Sequence, residues 1–197
     1  MNPLIRRGIR ERLRPKNLVA SGLFSIIGCA TLYLASFFDG MQQVIPANES
    51  ESGLPELISM PVNGAREAFT VLLVLQGFFL MFLGTGRVAS VTAEEKEAGL
   101  LDYQRMTPMN PFSKILGYLF GLPAREYFMF LITLPFLVHC MVVGKIPLLN
   151  LFQLYAVFFC SVILYHLTAH VIGLVVPKPR AASWVARLAV LGLYVFL

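Results

Sequence analysis

Four stretches of this chain, about Asn17–Phe38, Glu67–Gly86, Ile115–Val143 and Leu151–Val175, are long, apolar and nearly free of charge. A hydrocarbon layer about 30 Å thick is crossed by roughly 20 helical residues, and each stretch reaches that length. An α-helix satisfies its own backbone hydrogen bonds, which lipid cannot do for it. The chain therefore reads as an all-α polytopic membrane protein. Composition agrees: 57% of residues are hydrophobic and 14% charged, against about 25% charged in soluble domains. A soluble enzyme, a disordered chain and a secreted disulfide scaffold are excluded. Cys29, Cys140 and Cys160 are odd in number and lie in apolar runs; they read as small buried hydrophobes without zinc spacing.

Between and around the spans the chain changes character. In the opening MNPLIRRGIRERLRPK, Leu4, Ile5, Ile9 and Leu13 recur at helical spacing, with Arg6, Arg7, Arg10 and Arg14 largely on other faces. That pattern predicts a basic amphipathic helix on the membrane surface, stopped by Pro15. A signal peptide is the alternative. The following apolar run exceeds a signal h-region of roughly 7–15 residues and no A-x-A site follows it, so it reads as a retained first span. Asp39–Gly64 is a polar loop and Arg87–Lys114 the most charged segment. A fifth apolar run starts near Trp184 and breaks off at Leu197, too short to cross a bilayer; it is expected to be a truncated span of a longer protein. One membrane domain covers residues 1–197.

Lys and Arg set the orientation. The N-terminal segment, Arg87–Lys114 and Pro177–Ser183 hold most of them, whereas the alternate loops hold only Arg66 and Lys145. The N-terminus and the Arg87–Lys114 loop are thus expected in the cytoplasm. Arg125 and Arg187 fall inside apolar runs.

The charged loop reads VTAEEKEAGLLDYQRMTPMNPFSKILGY. A solvated connection is its plainest reading. Yet Leu100, Leu101, Tyr103 and Met106 put bulky apolar groups among the charges, a mixture better suited to docking on another protein. Glu95-Lys96-Glu97-Ala98-Gly99-Leu100-Leu101-Asp102, then Met106-Thr107-Pro108-Met109 and Ile115-Leu116-Gly117, resembles the cytoplasmic loop of the permease subunits of type-2 ABC exporters. That family's pattern is close to E-R-E-x-G-T-L-E, T-P-L and I-L-x-G-K; here Leu100 replaces the usual Thr and Tyr118 the usual Lys. The N-terminal basic helix and the order of spans and loops are also similar.

The resemblance implies a permease that is not itself an enzyme, has no cofactor, and exports a substrate across a bacterial inner membrane. Thr92–Met109 would be a coupling helix seated on a cytoplasmic ABC ATPase subunit, with Glu95 and Glu97 pairing with basic groups there or with Arg and Lys on the permease itself, Asp102 and Arg105 making the same kind of contact, and Gly99 permitting close approach. A second permease copy or paralogue would complete a dimer in membrane lipid, with no nucleic acid involved. No G-x-x-x-x-G-K-[ST] occurs in the chain, so ATP hydrolysis would belong to the partner. The alternative is a membrane scaffold that holds a cytoplasmic partner without transport.

Four residues form a possible intramembrane polar site: Arg125, Glu126, His166 and His170. Charges inside an apolar run face a partner or a cavity; otherwise a surface-lying segment ends at Pro123 and leaves the pair at the interface, with the span starting near Tyr127. As sequence neighbours Arg125 and Glu126 point in different directions on a helix and are expected to satisfy each other poorly. His166 and His170, four apart, share a helix face; with His139 they could suggest a metal, but hydrogen bonding within the bundle is the simpler account. An intramembrane metalloenzyme is disfavoured, since neither H-E-x-x-H nor F-x-x-x-H occurs around these histidines. No metal is expected. Ser21, Ser25 and Gly28 on the first span read as helix-packing residues, and Gln76 on the second either lines an interior face or, more simply, makes an interhelical hydrogen bond.

Overall fold

A computed structural model of the protein describes residues 15–45, 56–101 and 110–196. It is helical throughout apart from one short ribbon. Four helices are long and apolar enough to cross a membrane: within α1 (Pro15–Met41), α2 (Pro61–Glu97), α4 (Ala124–Val143) and α5 (Leu148–Val175). The predicted surface helix before Pro15 lies outside the described residues, and Pro15 itself is the first residue of α1, a position where its missing N–H costs nothing.

The polar loop after α1 holds an unforeseen feature. Strands β1 (Gln42–Ile45) and β2 (Glu56–Ser59) pair antiparallel, with Gln42 opposite Ser59 and Ile45 opposite Glu56. The ribbon closes where the Met60 amide donates to the Met41 carbonyl at 2.7 Å. It brings α2 back beside α1. There Gly64 meets the Phe37 carbonyl so closely that an added Cβ would overlap it.

α2 is the axis of the bundle. More than half of its apolar window is buried (56%), against 17–33% for the other three spans. It packs in three successive layers. Ala68, Phe69 and Leu72 meet Cys29 of α1 and Leu137 and Cys140 of α4. Leu80 and Met81 meet Phe130 of α4 and Phe158, Val162 and Tyr165 of α5. Val88, Ala89 and Ala93 meet Ala169 of α5 and Ala182 and Ala186 of α6 (Pro179–Phe196). Small side chains dominate the third layer, which lets those backbones come close. Residues Phe78–Gly84 widen into π-helical turns inside α2.

The third apolar run is divided. α3 (Pro111–Leu116), capped by Asn110 whose side chain accepts from the Phe112 amide at 3.0 Å, passes into π-helical turns at Gly117–Gly121. The chain then breaks at Leu122–Pro123 before α4 begins. Proline lacks the amide a helix interior needs, and the break follows. At the far end of α4, Arg66 of α2 donates from Nε to the Gly144 carbonyl at 3.0 Å. A cation there satisfies a terminal carbonyl and complements the helix dipole. On α1, Ser25 is buried and donates to the Met129 carbonyl at 3.0 Å, while Gly28 faces open space. The small-residue stripe is therefore only partly an interface.

Gly173 of α5 provides a test of this packing. A Cβ there would lie 2.6 Å from the Ala89 carbonyl and 2.7 Å from Thr92 Cβ, so Gly173→Leu must push α5 away from α2. We expect a loss of about 1–3 kcal/mol of stability, read from thermal unfolding in mild detergent. Gly28→Ala serves as the control and should leave the transition unchanged or slightly raised.

Candidate functional site

With 37 residues, α2 is about 55 Å long and exceeds a hydrocarbon core of about 30 Å. Its last turns carry the charged motif to one end of the bundle, beside Tyr118 and the end of α5. Each acidic or basic side chain there has a different fate. Glu94 accepts from the Ser90 hydroxyl at 3.1 Å. Glu95 accepts a hydrogen bond from the Tyr118 hydroxyl. Lys96 donates from Nζ to the Leu174 carbonyl at 2.5 Å, in the last turn of α5. Glu97 is exposed.

The helix ends in the next two residues. The Ala98 amide donates to the Glu94 carbonyl at 3.0 Å and the Gly99 amide to the Lys96 carbonyl at 3.1 Å. Gly99 has φ +69°, and an added Cβ would meet nothing within 4 Å. Its requirement here is conformational, a left-handed helix stop, and no described residue approaches it closely. Helical backbone resumes at Leu100 and Leu101. Asp102 and Arg105 lie outside the described residues. The structure thus turns Glu95 and Lys96 inward onto neighbouring spans and leaves Glu97 and Gly99 outward.

The second set of site residues lies deeper. Arg125 and Glu126 occupy the first turn of α4, just after the Pro123 break. Contrary to the expectation that they point apart, Arg125 Nε lies 3.5 Å from Glu126 Oε1, with Glu126 buried and Arg125 half exposed. The long Arg125 side chain folds back along the helix to reach its neighbour. His166 is fully buried, with Nε2 3.0 Å from the Leu80 carbonyl. Because a carbonyl only accepts, that nitrogen carries the proton. Gly84 makes room for the ring: a Cβ would sit 2.8 Å from Nε2.

His170 takes different partners. Its Nδ1 lies 3.1 Å from Thr92 Oγ1, and its ring lies 4.6 Å from that of Tyr118. The two histidines therefore both turn toward α2 without sharing a ligand. His139, at the other end, lies 2.8 Å by Nδ1 from the Tyr33 hydroxyl. Among the described residues no group of three His, Cys, Asp or Glu could hold a metal ion.

Gln76 makes the interhelical hydrogen bonds expected of it, whereas the surroundings of Arg187 were not anticipated. Gln76, fully buried, donates to Thr133 Oγ1 at 2.6 Å and accepts from the Tyr155 hydroxyl at 2.6 Å, joining α2, α4 and α5 at one point. The lone amide in a span was the visible signal; its partners were not visible. Arg187 of α6 lies beside Gly86, its guanidinium 5.5 Å from the Phe82 ring and 5.6 Å from the Trp184 ring. Cation–π contact with two rings holds a charge that water does not reach easily.

Gln76→Ala removes both bonds of the three-helix junction. We expect it to cost about 1–2 kcal/mol of stability in detergent, with Tyr155→Phe costing less than half as much. A double-mutant cycle between them should show coupling of about 0.6 kcal/mol.

Comparison of the chain with known protein families, with curated proteins and with solved structures gives no match.

Proposed function

We propose that the chain is the permease subunit of an ATP-driven exporter of the type-2 ABC kind, in which a separate cytoplasmic ATPase supplies the energy. The observation that carries this reading is the tip of α2. A membrane-crossing helix runs on past the bilayer, exposes Glu97, stops at a left-handed Gly99 and resumes at Leu100. A rigid rod ending in a charged and apolar elbow is a lever that a partner can grip and move. The Lys and Arg asymmetry supports a cytoplasmic location for this tip, and hence a cytoplasmic N-terminus in a bacterial inner membrane.

In this reading the segment from Thr92 to Met109 is the coupling element. Glu97, with Asp102 and Arg105, contacts the ATPase directly, and Gly99 sets the angle of the elbow. The basic N-terminal segment lies on the inner surface, and a second permease copy completes the pathway. The exposed apolar faces of α1 and α5 are lipid-facing or line the contact between copies.

The test is purification of the full-length protein from its native host in mild detergent, with assays for ATP hydrolysis and bound metal. A stoichiometric ATPase is expected. Glu97→Arg should reduce its recovery at least about tenfold, equivalent to about 1.4 kcal/mol of binding, and Gly99→Trp should act similarly, with thermal unfolding of the permease unchanged. Stoichiometric zinc lost on His166→Ala, without an ATPase, would overturn the proposal in favour of a metalloenzyme. A co-purifying partner without ATPase activity would point to a scaffold.

A further inference from the structure

Within that reading, we propose that Tyr118 is a positioning residue: it latches the α3 segment, which leads into the third span, to the second span through Glu95 and to the fourth through His170, so that these three cytoplasmic ends move as one body. The resemblance assigned Glu95 to the ATPase surface, together with Glu97. The side chains divide the work differently. Glu95 is half-buried and receives the Tyr118 hydroxyl, whereas Glu97, two residues on and about 200° around the helix, is exposed.

Tyr118 sits where a latch has most leverage. It lies in the π-helical turns at Gly117–Gly121, five residues before the Pro123 break, so the segment carrying it is separated from α4 by a discontinuity. Without a side-chain tie, α3 could swing about that break independently of α2. The tie has two parts. The hydroxyl binds Glu95 on α2, and the buried ring lies 4.6 Å from His170 of α5. His170 in turn meets Thr92, one turn before Glu95 on α2. Lys96 closes the set by donating to the Leu174 carbonyl of α5. The α3 segment and the second and fourth spans are thereby tied within two turns of the elbow that the ATPase would move. Any displacement of the elbow then reaches the α3 segment and the fourth span directly.

The latch is tested by the distance between spin labels at Ala98→Cys, on the elbow, and Phe112→Cys, on α3; both positions are exposed. Cys29, Cys140 and Cys160 are replaced by alanine, and the purified permease–ATPase complex is measured without nucleotide and with ATP and vanadate. With Tyr118 present, the distance distribution should be narrow and the same in both states. Tyr118→Phe keeps the ring against His170 and loses only the hydroxyl. It should leave ATPase recovery and thermal unfolding unchanged, yet let the distance shift by about 5 Å, one helical turn, when nucleotide is added. Glu95→Gln retains an acceptor for the hydroxyl and should behave as the unsubstituted protein does.

A Tyr118→Phe distribution identical to that of the parent in both states overturns the latch. So does a parent whose distance already shifts with nucleotide, or a Glu95→Gln variant that loosens as Tyr118→Phe does. If no ATPase co-purifies, the exporter reading fails separately. The nucleotide-free distributions then decide the latch alone, as Tyr118→Phe must broaden them relative to the parent.

Discussion

Lipid offers no hydrogen bonds, so each polar group that enters the bilayer must find its partner in the protein itself. That constraint shapes this structure more than any other. It makes the chain helical, and it makes α2 the axis, because α2 holds the bonding partners the other spans need. Gln76 meets α4 and α5, the Leu80 carbonyl meets His166, and Thr92 meets His170. Apolar contacts in a membrane confer little association free energy, since lipid tails are as apolar as leucine. Small residues that permit close approach and a few buried hydrogen bonds therefore set which helices are neighbours.

The same constraint separates the ends of the bundle from its middle. In the middle, polar side chains are few and most are paired, Thr85 Oγ1 being buried without a hydrogen-bond partner. At the ends, charges cap helices: Arg66 reaches the Gly144 carbonyl and Lys96 the Leu174 carbonyl. The acidic motif is thus two things at once. Part of it finishes the fold, and part projects beyond it. A run of glutamates that looks uniform in sequence becomes a structural half and an outward half when the helix turns it through successive angles of about 100°.

Discontinuities sit beside these contacts. π-Helical turns occur in α2 at Phe78–Gly84 and before the Pro123 break at Gly117–Gly121, and His166 binds the carbonyl of Leu80 within the first of them. Irregular turns of this kind often mark functional or mobile places in helices. Here they lie between the first layer, near Cys29 and Cys140, and the small-residue layer around Ala89 and Ala169. The bundle is therefore divided into two packed halves joined through irregular backbone. That division fits the proposed coupling of the charged end to a partner.

Much of the architecture was legible in the sequence because hydrophobic length is a local property. Four spans, the break around Pro123 and the projecting charged segment each depend on a window of residues that can be read in order. The β1–β2 ribbon was not legible, since short strands inside a polar loop lack the alternation that marks a buried face. The contact of Arg125 with Glu126 and the left-handed stop at Gly99 were not legible either. A long side chain can fold back on its neighbour, and a glycine's φ depends on where the helix stops. What sequence determined by itself was membrane residence, span number and charge asymmetry, all consequences of transfer free energy along the chain. Only the tertiary structure decided that α2 is the axis, that Glu95 turns inward to Tyr118, and that His166 and His170 serve separate bonds. Those outcomes depend on which helices touch and at what rotation, and packing in three dimensions alone sets both.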